Sequence, residues 1–554
     1  GLTVPYIVRL ETGTVNRGIY RIAMLFDPTQ PGKPWARQPG WNGKLVWGFG
    51  GGTAPHHTQD ATPSALDDNA LSRGFAVATS GLTVHGSNAN DVLSAETIMM
   101  VKEHVAETYG PIRYTIGMGC SGGGLQQYII ANSYPGLLDG LMPTCSYPDI
   151  WTTAQEVLDC ALLHRYFTGD GLPMWLNPLQ FSQVEGHSTP TVCQSWDSLL
   201  APVFEAANAA NCNIDASKVY DATNNPSGAR CTLSDYTIAT LGPRDRDSWN
   251  PVEQGLGRGF AKRPLSNAGI QYGLGQLLSG NITAAQFVDV NTRIGCLDID
   301  GLKTTSRCEA DRGSESLAFR AGLVNDARFL NQVPIIDLRG HDDAEIHTDD
   351  WSYVIRSRMD RTHGHHKNQI IFTGAAPVVG DPAFACSEFI SAGLGAGTPL
   401  VDTPKEACTA NPLVLIDEWL AAIETDRSSR TQAQKVIANR PARAVDTCFI
   451  AGQAITDEAT CRTAYPYYTS PREVAGGPQA RDIISCRLKP LSKSDYPPGT
   501  FTDAQFAALQ KTFPKGVCDW TARDPNEQAS LPWLTYANGP GGQPLPVAPR
   551  ARGN

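Results

Sequence analysis

Apolar residues in the first 150 positions fall into short blocks separated by one long helical repeat. Tyr6 to Leu10 and Tyr20 to Phe26 have strand length and strand composition. Lys44-Leu-Val-Trp-Gly48 is an unbroken apolar run that leads into Gly50-Gly-Gly52, and Gly74-Phe-Ala-Val-Ala-Thr-Ser80 is another. Residues 91–109 set Val92, Ile98, Val101 and Val105 at helical spacing, with Gly110 as the stop, and Arg113-Tyr-Thr-Ile-Gly117 follows as a strand. Leu125 to Ser133 predicts a helix and Leu138-Asp-Gly-Leu-Met142 the next strand. This alternation predicts a mostly parallel sheet flanked by helices.

From about 151 to 330 the strand pattern stops, and aromatic, Gly-rich and Cys-rich segments predict a cap inserted into the sheet domain. The sheet resumes at Val333-Pro-Ile-Ile-Asp-Leu338, passes a helix near 350–361 and takes its last predicted strand at Asn368-Gln-Ile-Ile-Phe372. A closing helix is predicted at Leu413 to Ile423, and Cys448, Cys461, Cys486 and Cys518 lie beyond it among Pro and Gly. The expected organisation is a core over 1–150, a cap over 151–330, the second part of the core over 331–440 and a disulfide-tied C-terminal extension over 441–554. A chain of 554 residues exceeds what one hydrophobic core supports, in keeping with several structural units.

Composition narrows the class. Hydrophobic residues at 41% and charged residues at 18% fit a folded globular protein. The net charge of -10 and the lack of a Lys/Arg cluster argue against a nucleic-acid partner. No apolar run reaches the ~18 residues of a membrane span. The chain opens at Gly1 with neither an initiator Met nor a signal segment, which reads as a trimmed product. Fourteen cysteines with no C-x-x-C pair and no zinc-spaced Cys/His cluster predict disulfides, no metal and a secreted or periplasmic location. Asn281-Ile-Thr283 is a glycosylation sequon. No feature calls for a cofactor.

Gly117-Met-Gly-Cys-Ser-Gly-Gly-Gly124 contains G-x-S-x-G between a predicted strand and a predicted helix. That context makes Ser121 the candidate nucleophile of an α/β-hydrolase fold, on a turn sharp enough to need its glycines. Acyl transfer also needs N–H donors at the developing oxyanion. Gly122, directly after the serine, is one candidate, and Gly51 in the run Gly48-Phe-Gly-Gly-Gly52 is the other.

The base is unusual. The ordinary order places the acid after the seventh strand and a histidine after the eighth, but no histidine follows His366. The loop after Leu338 reads Arg339-Gly-His-Asp-Asp-Ala-Glu-Ile-His347, at the sheet edge where catalytic groups collect. His347 is the first candidate for the base and His341 the second, while His363, His365 and His366 precede the last strand and belong at its opposite end. Asp343, four residues before His347, is the candidate acid, with Asp342 and Asp149 as alternatives. His56, His57 and His85 follow the third and fourth strands; His85 and His56 are candidate substrate-binding residues.

Cys120 beside Ser121 resembles the tannase and feruloyl esterase family, in which a cysteine before the serine is bonded to one after the histidine. Here His347 is followed by Thr348, so that pairing does not carry over; Cys160 and Cys145 are both open as partners of Cys120. A closer resemblance is to uncharacterised secreted bacterial tannase-like hydrolases. It rests on Glu11-Thr-Gly-Thr-Val-Asn-Arg17, Gly40-Trp-Asn-Gly43, Ser146-Tyr-Pro-Asp149, Asn267-Ala-Gly-Ile-Gln-Tyr-Gly273, Glu345-Ile-His347 and Phe513-Pro-Lys-Gly-Val-Cys-Asp519. The resemblance implies an α/β-hydrolase fold, favours His347, and implies a domain upstream of Gly1. The expected substrate is a small-molecule or oligomeric ester, bulky enough to be held under the cap. A serine peptidase or amidase, and a catalytically silent binding protein on the same scaffold, are the competing readings. Oligomeric state is unknown from sequence.

Overall fold

The computed structural model describes residues 6–30, 32–56, 58, 62–341, 346–375, 411–451 and 453–533. Its main sheet is built from β1 (Val8–Val15), β2 (Gly18–Leu25), β3 (Lys44–Gly50), β4 (Ala76–Val84), β5 (Tyr114–Cys120), β6 (Gly140–Thr144), β7 (Ile335–His341), β8 (Gln369–Ala375), β9 (Thr447–Ile450) and β10 (Gln453–Ile455). The ten strands lie in the order β1-β2-β4-β3-β5-β6-β7-β8-β9-β10. β1 and β2 form an antiparallel hairpin through Asn16 and Arg17, both at positive φ, and β2 meets β4 antiparallel. From β4 to β9 every neighbour is parallel.

Six helices and the sheet set the frame: α1 (Asp91–Thr108), α2 (Gly122–Ser133), α3 (Ile150–Arg165), α4 (Pro178–Glu185), α5 (Asp350–His363) and α6 (Pro412–Thr425). Strand periodicity decides which side chain meets which helix. Leu45, Trp47 and Phe49 of β3 join a core with Val101, Tyr128 and Ile355 of α1, α2 and α5. Val46 points the other way, into a core with Met118, Ile336 and Trp419, the last from α6. With both faces covered, β5 is buried along its whole length, as a central parallel strand requires.

Between β6 and β7 the chain adds no strand to the main sheet, as the sequence pattern predicts. It runs instead through α3, α4 and a series of shorter helices. The segment after 440 differs from expectation. β8 is not the last strand, because Thr447–Ile450 pairs parallel with it and Gln453–Ile455 closes the edge antiparallel. A run of four residues among Pro and Cys is too short to show period-two alternation. Further on, Ile484, Leu509 and Phe513 enter the same core as Trp175 and Phe287 of the inserted segment. Charge reinforces that packing: Arg472 reaches Asp159 at 2.6 Å, and Arg481 reaches Glu156 at 3.1 Å and Asp350 at 2.5 Å.

Among the described residues twelve cysteines form six disulfides: Cys120–Cys145, Cys160–Cys193, Cys212–Cys231, Cys296–Cys308, Cys448–Cys461 and Cys486–Cys518. Among the described residues no helix is long and apolar enough to cross a membrane.

Candidate active site

β5 ends at Cys120 and α2 begins at Gly122, so Ser121 alone makes the turn between them. The sequence pattern places the end of the strand at Gly117 and the start of the helix at Leu125. Glycine is a poor helix former, which hides the first turn of α2 from a periodicity reading. Ser121 holds φ 58° and ψ -121°, a conformation that costs a non-glycine residue on the order of 1–3 kcal/mol. Its N–H donates to the Thr144 carbonyl at 3.0 Å. A serine at a helix N-cap ordinarily bonds the first-turn N–H groups, but the Ser121 side chain makes no such bond. The first turn is instead closed through the backbone, the N–H groups of Gly124 and Leu125 both donating to the Ser121 carbonyl at 2.9 Å.

The glycines around Ser121 answer to one neighbour, the loop that follows β3. A Cβ on Gly119, which has φ 158°, would lie 2.6 Å from the Phe49 carbonyl oxygen, and one on Gly123 would lie 2.8 Å from it. A Cβ on Gly122 would collide with the Gly52 carbonyl and lie 2.8 Å from His85 Cβ. Gly124 is pressed by Ser146, whose Cβ would be 2.6 Å away. The serine turn and the run Gly48–Gly52 are thus packed backbone to backbone. Gln126 fastens them, donating to the carbonyls of Gly50 at 3.3 Å and Thr83 at 3.2 Å. Gln127 donates to the Gly123 carbonyl at 3.0 Å and accepts from Met142 N–H at 3.0 Å, tying α2 to β6. Sequence reasoning gave neither glutamine a role, because the positions they fill on α2 read as ordinary helix surface.

The N–H of Gly51, the second candidate donor, shares its peptide plane with the Gly50 carbonyl, which accepts from His85 N–H at 3.1 Å, while the Gly51 carbonyl accepts from Gly86 N–H at 2.9 Å. His85 is fully buried rather than exposed on a loop. Its Nδ1 lies 3.0 Å from Thr53 Oγ1 and 3.2 Å from the Gly52 carbonyl. Its Nε2 is enclosed with no hydrogen-bond partner among the described residues. Burial pushes the imidazole pKa down to about 4, against a smaller opposing effect of the Gly52 carbonyl, so it is neutral at pH 7. His56 is half-buried on the same loop, its N–H donating to Ala54 O at 2.9 Å. His57 lies outside the described residues.

His347 stands at the same edge of the sheet. Its ring centroid is 5.8 Å from that of Tyr147, whose hydroxyl donates to the Ile346 carbonyl at 2.8 Å. Tyr147 directly follows Ser146, the residue beneath Gly124, so one short loop separates His347 from the start of α2. Asp343, together with Asp342 and Glu345, lies outside the described residues. His341 ends β7 and already has a carboxylate: its Nδ1 is 3.1 Å from Asp349 Oδ2, and its ring lies against Tyr465. His363 and His366 are at the far end of β8, on the Ala327 carbonyl and on Asp360.

Asp149, the alternative acid, is fully engaged elsewhere. One oxygen caps α3, accepting from Thr152 N–H at 2.7 Å, and the other meets Arg358 at 2.5 Å and Asn325 N–H at 3.0 Å, all out of solvent. A carboxyl that the sequence reading missed is nearby. Asp91, in the first turn of α1, has Oδ1 enclosed without a partner among the described residues, and burial first, then the charge on Asp149, push its pKa up to about 7. No motif spacing marks it. Cys120 is bonded to Cys145, so the ends of β5 and β6 are joined directly below Ser121, and Cys160 pairs with Cys193 instead. His187 approaches that second pair, but its two sulfurs are bonded to each other and offer no thiolate to a metal.

A parallel sheet with this strand order, a strand–serine–helix turn after its fifth strand and a helical insertion after its sixth define an α/β-hydrolase fold. The chain belongs to a tannase-like family of unknown function (DUF6351), whose profile matches residues 1–529. No curated protein sequence matches the chain. Among solved structures it is similar to feruloyl esterase B from Aspergillus oryzae, at 15% identity and TM-score 0.33, covering 74% of this chain and 79% of that one. It is also similar to tannin acyl hydrolase from Aspergillus niger, at 12% identity and TM-score 0.28, covering 66% and 77%.

Proposed function

We propose that this protein is a secreted or periplasmic serine esterase that cleaves a bulky or oligomeric carboxylic ester. The observation that carries the reading is Ser121 itself. It sits in a strained turn, its side chain is withheld from capping, and its surrounding glycines are pressed onto the glycine loop after β3. Membership of a tannase-like family and six disulfides support the same reading.

In this mechanism His347 takes the Ser121 hydroxyl proton as Oγ attacks the ester carbonyl, and Asp343 orients the imidazole. The carbonyl oxygen becomes an oxyanion held by the N–H groups of Gly122 and Gly51. As the tetrahedral intermediate collapses, the bond to the leaving alkoxide breaks and His347 returns the proton to it. Water then attacks the acyl-enzyme by the same route and releases the acid. His56 borders the substrate beside the glycine loop, the buried His85 backs that loop through the Gly52 carbonyl, and residues 151–330 form the cap that covers the substrate.

A fluorophosphonate probe with peptide mapping tests the nucleophile: the adduct is expected on Ser121 and absent from Ser121→Ala. An adduct on another serine, or none, overturns the reading. The second outcome would favour a silent binding protein, a reading whose specific support is that no histidine follows β8.

A further inference from the structure

We propose that the cleft between α5 and the segment 440–479 is a second, non-catalytic site that binds an aromatic carboxylate. The cleft has a volume of about 530 Å³, and none of its lining residues belongs to the serine turn, the glycine loop or His347. That volume suits a compact ligand.

Its recognition groups come from separate stretches of chain. Tyr353 of α5 and Tyr467 stack with centroids 4.4 Å apart and planes 23° from parallel. The Arg462 guanidinium lies 4.2 Å from the first ring centroid and 3.8 Å from the second, which fixes its plane by cation–π attraction.

The other two arginines of the cleft are occupied. Arg356 is held bidentately by Asp446 at 2.6 and 2.9 Å and by Gln369 at 3.1 Å, while Arg440 donates to the carbonyls of Ala444 and Lys367. Asp360 is likewise taken, by His366 at 2.8 Å. Arg462 differs. Its Nη1 is enclosed with no hydrogen-bond partner among the described residues, and its nearest carboxylate, Glu458, is 3.8 Å from Nε and 85% exposed.

An enclosed guanidinium N–H without an acceptor is unfavourable, and a charge-assisted bond to an incoming carboxylate removes that cost. The tyrosine pair offers a flat apolar wall for the ring that carries the carboxylate. Charge alone would equally attract an inorganic oxyanion; the stacked rings favour an aryl acid. The site stands independently of the proposed esterase activity. An acid of this chemistry is nevertheless what hydrolysis of an ester of an aromatic acid releases.

Calorimetric titration of the full-length Ser121→Ala protein with 4-hydroxybenzoate and, separately, inorganic phosphate tests the proposal without turnover. Saturable 1:1 binding of 4-hydroxybenzoate is expected, with phosphate about tenfold weaker or worse. Arg462→Ala is expected to weaken 4-hydroxybenzoate at least about tenfold at unchanged Tm, and Arg462→Lys and Tyr467→Leu to weaken it by smaller factors. Absence of 4-hydroxybenzoate binding, equal binding of phosphate, or a Kd unmoved in all three variants overturns it.

Discussion

The carbonyl of Gly52 occupies the place that a Cβ on Gly122 would need. Gly122→Ala must therefore push the loop after β3 away from the start of α2, displacing both proposed oxyanion donors at once. Overpacking of this kind costs about 1–3 kcal/mol of stability, and loss of one oxyanion donor costs about 10²–10³ in kcat. Steady-state kinetics on an aryl ester should show kcat falling by at least that factor, with a modest drop in Tm. A variant with wild-type kcat would mean that the contact does not shape the catalytic centre.

Asp149 and Arg358 lead to the opposite expectation. Both are fully buried, so Asp149→Asn leaves an uncompensated guanidinium and should cost roughly 3–5 kcal/mol of stability. Activity per folded molecule, counted by probe titration, should stay within a few-fold of wild type. A stable variant with a collapsed kcat would restore Asp149 as the acid of the triad.

The sequence made β3, β5 and the serine turn readable for a physical reason: a parallel strand buried on both faces is a continuous apolar run, and a turn this tight admits few residues besides glycine. Ser121 and its glycine neighbours were legible on that basis. β9 was not, because Thr447–Ile450 is a strand only through its pairing with Phe372 and Thr373. Asp149 shows a second limit. Its place after β6 fits an acid, but the Arg358 that occupies it is 209 residues away, and no local pattern announces such a partner. Gln126, Asp91 and His85 acquire their environments in the same way, from long-range packing.

His85 makes the stability of the fold depend on pH. With a folded pKa of about 4 against an ordinary 6.5, the unfolded chain binds a proton between those values and the folded chain does not. The neutral imidazole therefore costs nothing above pH 6.5, and stability declines as pH falls toward about 4, by up to about 3 kcal/mol from this group, and levels off below. Denaturant titrations across that window should show a flatter pH profile for His85→Gln than for wild type. Parallel profiles would mean that His85 protonates in the folded protein, and so is open to solvent.

The choice of base rests on two histidines of one loop. His341 is already bonded through Nδ1 to Asp349, beside Tyr465 and at the end of β7. His347 faces Tyr147, on the loop that passes under the first turn of α2. In the register of the sheet Cys120 pairs with Thr144 and Thr144 with Leu338, so His341 lies two strands across and three residues beyond that level. If His347 is the base, His347→Ala should lose at least ~10³-fold in kcat, about as much as Ser121→Ala, and the double variant should be hardly worse than either. Asp343→Asn should fall by a smaller but clear factor if Asp343 orients the ring. His341→Ala should retain most activity while losing stability, because Asp349 is left buried without its partner. An inactive His341→Ala beside an active His347→Ala would transfer the role to the His341–Asp349 pair and leave Ser121 as the nucleophile.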